Sequence, residues 1–169
     1  MMNHGHGLAC LSLFLGLLMA LTACSGLKQS YPEKYYYALN AQRPAQNLPN
    51  SSGPNLLVGR FRVSPRYEGK SLVYRTGDLT YQADYYNEFL VSPASMFGET
   101  TGRWLAASGL FKAVLDGPSQ ILPDLTLECA VNSLYGDFRP DSLPKAILGM
   151  QVFLIQTSKS PSTIIWQHQ

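Results

Sequence analysis

Between residues 79 and 109 the chain reads LTYQADYYNEFLVSPASMFGETTGRWLAASG, and the spacing of its apolar residues changes once within this segment. The first part has the two-residue period of a β-strand, which places four side chains on one face: Leu79, Tyr81, Ala83 and Tyr85. Ser92 then suits a helix cap, and Pro93 suits a first helical turn. Helical spacing relates the residues that follow, namely Phe97, Thr101, Trp104, Leu105 and Ser108. Gly109 closes the predicted helix at C′, the position after its C-cap.

Strands are predicted on both sides of this helix. Upstream they cover residues 35–39, 56–63, 72–76 and 79–86, and downstream residues 111–115, 125–135, 146–157 and 163–166. The strands at 72–76 and 79–86 are joined across Gly77-Asp78, which indicates a hairpin. An order of strands, one helix and then strands predicts an α+β fold, in which a mixed or antiparallel sheet carries one main helix.

Side-chain alternation predicts the buried faces of these elements. In the strand at 56–63, Leu57, Phe61 and Val63 share one face, while Arg60 and Arg62 project from the other. The inward side chains of the strand at 125–135 are predicted to be Leu125, Leu127, Cys129 and Val131. On the helix, Phe97 and Trp104 are predicted to pack against the sheet.

The N-terminus carries an uncharged apolar run over residues 8–23, LACLSLFLGLLMALTA. This run is shorter than the roughly 20 residues that span a bilayer and ends on small residues, as a secretory signal does. Its last residues, with the next one, read Leu21-Thr22-Ala23-Cys24 and match the lipobox of bacterial lipoproteins. We therefore predict a signal peptide at 1–23 and a lipid, labelled by palmitate, on Cys24. The alternatives are an uncleaved anchor and an ordinary secretory signal, since the first residues hold no Lys or Arg.

The predicted lipid sets the location of the chain. Ser25 follows the acylated cysteine, where an Asp commonly retains lipoproteins at the inner membrane of enteric-type bacteria. By this sorting analogy we expect an outer-membrane lipoprotein that faces the periplasm. Residues 24–34 then form a polar tether, and residues 35–169 form one domain.

Composition argues against several classes of protein. With 13 Lys and Arg against 11 Asp and Glu, the chain lacks the strongly basic face that nucleic-acid binding requires. After processing, Cys24 and Cys129 remain, so no intramolecular disulfide is expected, and Cys129 is predicted to be a buried apolar residue. The mature chain keeps one histidine, His168, and no metal-binding or catalytic motif. We expect neither an enzyme nor a cofactor other than the covalent lipid, with a periplasmic hydrolase as the weaker alternative.

Tyrosine and arginine are concentrated in one half of the chain. Nine of the ten tyrosines lie between Tyr31 and Tyr86, among five arginines. Both residue types are enriched at interface hot spots, yet aromatic residues also suit strands and arginines suit outer faces. Both interpretations therefore stay open. The candidate residues for binding a partner are Arg60, Arg62, Tyr74, Arg75, Tyr85 and Tyr86.

Several short blocks, taken in order, carry a family resemblance. They are YAL at 37–39, LVYR at 72–75, LTY at 79–81, YYNEF at 85–89, a proline at 93 and SGLF at 108–111. With the lipobox, they resemble the ABC-type transport auxiliary lipoprotein family, the PqiC-like lipoproteins of mammalian-cell-entry (MCE) transport systems. Two features depart from the family pattern. Phe89 stands near the family's tryptophan, and the family's C-terminal helix has no counterpart before Gln169, so the domain is predicted to be truncated.

The resemblance implies a non-catalytic role. Such a lipoprotein assists an MCE-type ABC system that moves lipids or other hydrophobic molecules, and its partners are an MCE protein, a permease and an ATPase. A lipid is a further expected ligand. The alternative is a structural lipoprotein that stabilises an envelope complex. Loss of a covering helix would leave apolar side chains such as Phe153, Ile155 and Trp166 exposed on one side of the sheet.

Overall fold

The computed structural model describes residues 31–44, 52–140 and 143–169, and residues 33–169 belong to one compact unit. The predicted signal peptide, Cys24 and most of the predicted tether lie outside the described residues. The strands are β1 (Tyr35–Tyr37), β2 (Asn55–Val63), β3 (Ser71–Arg75), β4 (Tyr81–Phe89), β5 (Ala113–Leu115), β6 (Leu125–Asp137), β7 (Lys145–Gln156) and β8 (Thr163–His168), and the helix is α1 (Pro93–Ala106). The predicted α+β class is confirmed. Leu79 is a correction, because it lies in the β3–β4 turn, 95% exposed, and β4 begins two residues later.

The long strand β6 organises a mixed sheet. One edge of β6 pairs with antiparallel β7 along its whole length, from Leu125 to Asp137. The opposite edge pairs with parallel β2 over its first half and with parallel β3 at its end, where Tyr74 lies opposite Gly136. Strand β5 extends β2, strands β4 and then β1 extend β3, and β8 extends β7. The sheet therefore forks on one side of β6.

A β-bulge in strand β2 interrupts the alternation of its side chains between the two faces of the sheet. Its pairing with β6 shifts register between Val58 and Phe61, so Val58 and Phe61 both face α1 although they are three residues apart. A Cβ atom on Gly59 would lie 2.8 Å from Thr126 Cγ2, which explains the glycine at this position. The prediction that Leu57 shares a face with Phe61 is therefore wrong, and Leu56 is the fully buried residue instead.

Helix α1 begins where the sequence predicted and ends slightly early. The Ser92 hydroxyl accepts a hydrogen bond from the Ser95 amide at 3.3 Å, and Pro93 occupies the first helical position. The C-cap is Ala107, so C′ is Ser108, and the prediction of Gly109 as C′ is wrong by one residue. The φ of Gly109, 66°, is left-handed, a conformation that glycine adopts at little cost.

The core lies between α1 and one face of the sheet. Phe97 packs with Cys129 and Val131, which confirms three predicted core residues. Around them lie partly buried side chains: Phe61, Val63, Leu134, Met150 and Val152. The helix contacts β2 and β5, so its coverage is centred on one branch of the fork.

Candidate functional site

An apolar groove runs along the flank of α1. It encloses about 390 Å³, and its walls come from the helix on one side and from β6, β7 and β8 on the other. The principal lining residues are Thr101, Trp104, Leu105, Leu127, Val152 and Trp166. The groove exists because α1 lies over β2 and β5 while β7 and β8 continue the sheet beyond the helix. Its volume falls within the range of about 300–1,000 Å³ that small-molecule sites occupy.

A second depression of about 340 Å³ adjoins this groove. The two share Val152, and the second is lined further along by Leu148, Met150 and His168. Together they form an elongated apolar trough over β7, which we call the β7 trough. Its shape and lining suit an extended hydrocarbon chain better than a compact polar ligand.

Helix α1 and the segment after β1 together form one rim of the trough. The guanidinium Cζ of Arg43 lies 4.2 Å from the centroid of the Trp104 ring, and Ala41 lines the trough beside it. Trp104 is 40% exposed, so the prediction that it packs in the core is wrong. Its ring contributes to the wall of the trough, because the helix overhangs the sheet at this point.

The exposed apolar residues of β7 and β8 divide between the two faces of the sheet. Trp166 pairs with Leu154 and is 50% exposed on the trough side. Phe153 lies on the opposite face, where it lines a separate depression with Gln151 and Gln167. Phe153 and Ile155 are half-buried, so the prediction that they share one uncovered side with Trp166 is wrong.

The six predicted partner-binding residues do not form one surface. Arg60 and Arg62 are exposed on β2, whereas the other four lie on the β3–β4 hairpin. Phe61, between the two arginines, pairs with Cys129, and Tyr74 pairs with Gly136, so these two positions are seven residues, or about 23 Å, apart along β6.

Two members of the hairpin group have structural partners. The Tyr74 hydroxyl donates to Asp84 Oδ2 at 3.0 Å, and its ring meets Phe138 edge to face. Arg75 donates to the carbonyls of Gly77 and Asp78, at 3.2 and 2.7 Å, and thereby braces the turn. Tyr85 and Tyr86 remain exposed, with their rings in edge contact.

The described residues contain no group of three metal-ligating side chains. Cys129 is buried, and desolvation raises the pKa of its thiol, which favours the protonated form. His168 stacks on Trp166 with ring centroids 5.9 Å apart. In these parts of the chain, no helix is long and apolar enough to cross a membrane.

Sequence reasoning missed the trough because its walls come from elements distant in the chain. The alternation of β7 and β8 marked their side chains as strand residues. Nothing in the local pattern indicated that Val152 and Trp166 would meet Trp104. The sequence offered one usable signal for the trough, namely apolar side chains on β7 and β8 for which it showed no covering element.

No family model matches the chain, and no curated protein matches it. Two crystal structures share its architecture. A Xanthomonas campestris protein of the DUF330 family is similar with a TM-score of 0.67 at 17% identity, over 79% of this chain and 74% of that one. The structure of an uncharacterized protein is similar with a TM-score of 0.57 at 17% identity, over 82% and 81% of the two chains. The chain therefore has the fold of a DUF330 protein.

Proposed function

We propose that this protein is a membrane-anchored periplasmic lipoprotein that serves an MCE-type ABC transport system as a non-catalytic component. The β7 trough is the observation that carries the proposal, because a lipid carrier needs an uncovered apolar site. The fold adds support, since DUF330 is the family that the sequence blocks resemble.

The lining of the trough favours one acyl chain of a lipid as the ligand. Leu127, Val152 and the two tryptophans offer dispersion contacts and no buried charge. Each methylene removed from water contributes about 0.8 kcal/mol. An extended chain over β7 therefore gains affinity along its length, while the polar headgroup stays in water.

In this proposal the remaining parts of the system are other proteins. The lipid on Cys24 holds the domain at the outer membrane, facing the periplasm. An MCE protein, a permease and an ATPase supply substrate selection and energy. The alternative, a scaffold that carries no lipid, needs a flat polar interface, and the exposed Arg60 and Arg62 on β2 are the observation in its favour.

Photo-crosslinking in the cell envelope tests the acyl-chain site. A photoreactive amino acid replaces Trp104, which lines the trough, or Phe153, which lies on the opposite face of the sheet. We expect lipid adducts at position 104 and few at position 153. Equal adducts at both positions would show that contact with lipid is unspecific, and adducts at neither would favour the scaffold.

Purification from the envelope tests the transport assignment. The affinity-tagged lipoprotein is expected to retain an MCE protein after mild crosslinking, together with its permease and ATPase. Recovery of other envelope proteins and none of these would contradict the assignment, whatever the trough binds.

A further inference from the structure

Five exposed tyrosines gather at one edge of the sheet. They are Tyr35, Tyr36 and Tyr37 of β1 and Tyr85 and Tyr86 of β4, and we call this group the tyrosine edge. Strand β1 is the outermost strand on its branch and pairs in parallel with the end of β4. Leu90, immediately after β4, adds an exposed apolar side chain, and its amide donates to the Tyr37 carbonyl at 2.8 Å.

The carboxylate of Asp84 fixes the directions in which the rings of Tyr85 and Tyr86 project. Between Ala83 and Glu88, four residues of β4 lie opposite one residue of β3, so the pairing is interrupted by an enlarged, irregular bulge. Asp84 holds it: Oδ1 accepts from the amides of Tyr86 and Asn87 at 2.8 and 3.0 Å, and Oδ2 accepts from Asn87 Nδ2 at 2.8 Å. The bulge turns Tyr85 outward, where it is 69% exposed.

The charges of the tyrosine edge are largely satisfied within it. Lys34 Nζ lies 2.9 Å from Glu88 Oε1 and 4.3 Å from the centroid of the Tyr85 ring. The Asp84 carboxylate accepts hydrogen bonds from residues of the bulge. Glu33, which is next to Lys34 in the chain, is an exposed carboxylate. Aromatic rings with hydroxyl tips and few free charges suit the headgroup region of a bilayer, where tyrosine is enriched.

With the lipid that we propose on Cys24, the short chain before the domain would keep this edge within reach of the membrane. Ten residues lead from Cys24 to Lys34, a reach of at most about 36 Å. Lys34 directly precedes Tyr35 of the tyrosine edge and its Nζ lies over the Tyr85 ring, so the tether enters the domain at this edge. The opposite edge of the sheet, β8, lies five strands away from β1, which is about 24 Å further.

We infer that the tyrosine edge docks on the surface of the lipid bilayer that holds the anchor. This inference rests on the lipidation of Cys24 in the proposed function and specifies how the anchored domain is oriented. Docking through β1 and β4 orients the domain with the β6–β7 region away from the anchor point. The tyrosines would then lie among phospholipid headgroups, with their hydroxyls hydrogen-bonded and their rings partly desolvated.

Flotation with vesicles of phosphatidylethanolamine and phosphatidylglycerol tests the docking directly. The mature chain carries Cys24→Ala, so only the domain surface binds, and it is compared with the same chain bearing Tyr85→Ala/Tyr86→Ala. We expect vesicle binding to fall about tenfold in the double variant. The matched control is Ile164→Ala/Ile165→Ala, which removes two exposed apolar side chains from β8 and is expected to leave binding unchanged.

A second measurement uses the lipidated chain in the same vesicles. The emission maximum of a polarity-sensitive dye on Tyr36→Cys is expected to shift to the blue. The emission maximum of the same dye on Ile164→Cys is expected to stay at its value in water. The inference is overturned if the tyrosine and isoleucine variants float equally, or if the dye has the emission maximum of an aqueous environment at both positions. Loss of an MCE partner without loss of vesicle binding would assign the tyrosines to a protein interface. Palmitate labelling of Cys24 is measured separately, so failure of the anchor is distinguished from failure of docking.

Discussion

The guanidinium of Arg43 lies over the indole ring of Trp104, 4.2 Å from its centroid. A cation over an aromatic face at this distance contributes about 0.5–1 kcal/mol at an exposed site. The contact joins the segment after β1 to the flank of α1, which are far apart in the chain. It thereby forms one rim of the β7 trough.

Filling the trough should block its ligand. Thr101 lines it from α1, so Thr101→Trp places an indole where an acyl chain would lie. We expect binding of a fluorescent fatty acid to weaken by at least about tenfold. Ala106→Trp, an exposed position on the same helix, is the matched control and should bind normally. Similar affinities for both variants would show that the ligand binds elsewhere.

Cys24 is predicted to carry the lipid. Labelled palmitate should enter the wild-type chain and not Cys24→Ser, because the serine hydroxyl does not form the thioether. Cys10→Ser is the control, since Cys10 opens the apolar run and does not close it. Equal labelling of wild type and Cys24→Ser would contradict the lipid anchor.

Cys129 should behave as a packing residue. It is 3% exposed beside Phe97 and Val131, so Cys129→Ala should lower the free energy of unfolding by about 1–2 kcal/mol. Burial raises the pKa of its thiol. In the Cys24→Ala mature chain, a disulfide reagent at pH 8 should therefore modify it only after unfolding. Fast reaction with the folded protein, or loss of transport in a stably folded Cys129→Ala variant, would indicate a chemical role.

The pair of Asp137 and Arg139 predicts a dependence of stability on pH. Asp137 is 1% exposed, and Arg139 donates to both of its carboxylate oxygens, at 3.1 and 2.9 Å. The hydrogen bonds from Arg139 hold the pKa of Asp137 below its ordinary value of 3.8. A depressed pKa in the folded state stabilises the protein above pH 3.8, and this contribution is lost as the pH falls through the folded pKa.

Thermal melts of Asp137→Asn test this dependence. The variant should melt below wild type at pH 7, and the difference should narrow as the pH falls below about 4. Asp116→Asn, at an exposed position, should follow wild type throughout. A difference that stays constant with pH would attribute the loss to packing and not to the charge.

Charge reversal on β2 tests the alternative docking face. Arg60 and Arg62 are exposed, so Arg60→Glu/Arg62→Glu should alter the melting temperature little. If an MCE partner presents an acidic surface there, the variant should lose that partner on co-purification through charge repulsion. Matching melts with undiminished recovery of the partner would exclude this face. An unfolded variant would show that the two arginines are structural.

The elements that formed as predicted are those set by contacts between near neighbours in the chain. The cap of α1 depends on a hydrogen bond between Ser92 and Ser95, and the hairpin turn lies between two strands that pair with each other. Cys129 and Val131 follow from simple alternation along β6. Periodicity, capping and turn residues act within a few residues, so the amino-acid sequence by itself determined the α+β class and most strand positions.

Tertiary structure decided the features that depend on contacts between residues distant in the chain, namely the face of Leu57, the surroundings of Trp104 and the position of the trough. The face of Leu57 reversed because the bulge at Gly59 accommodates Thr126 of β6, a contact that no local pattern encodes. Trp104 became part of the trough wall, and not of the core, because α1 lies over β2 and β5 and leaves β7 beside it. The trough exists only where α1, β6, β7 and β8 meet. Its position is a property of their packing, since each wall taken alone is an ordinary amphipathic surface.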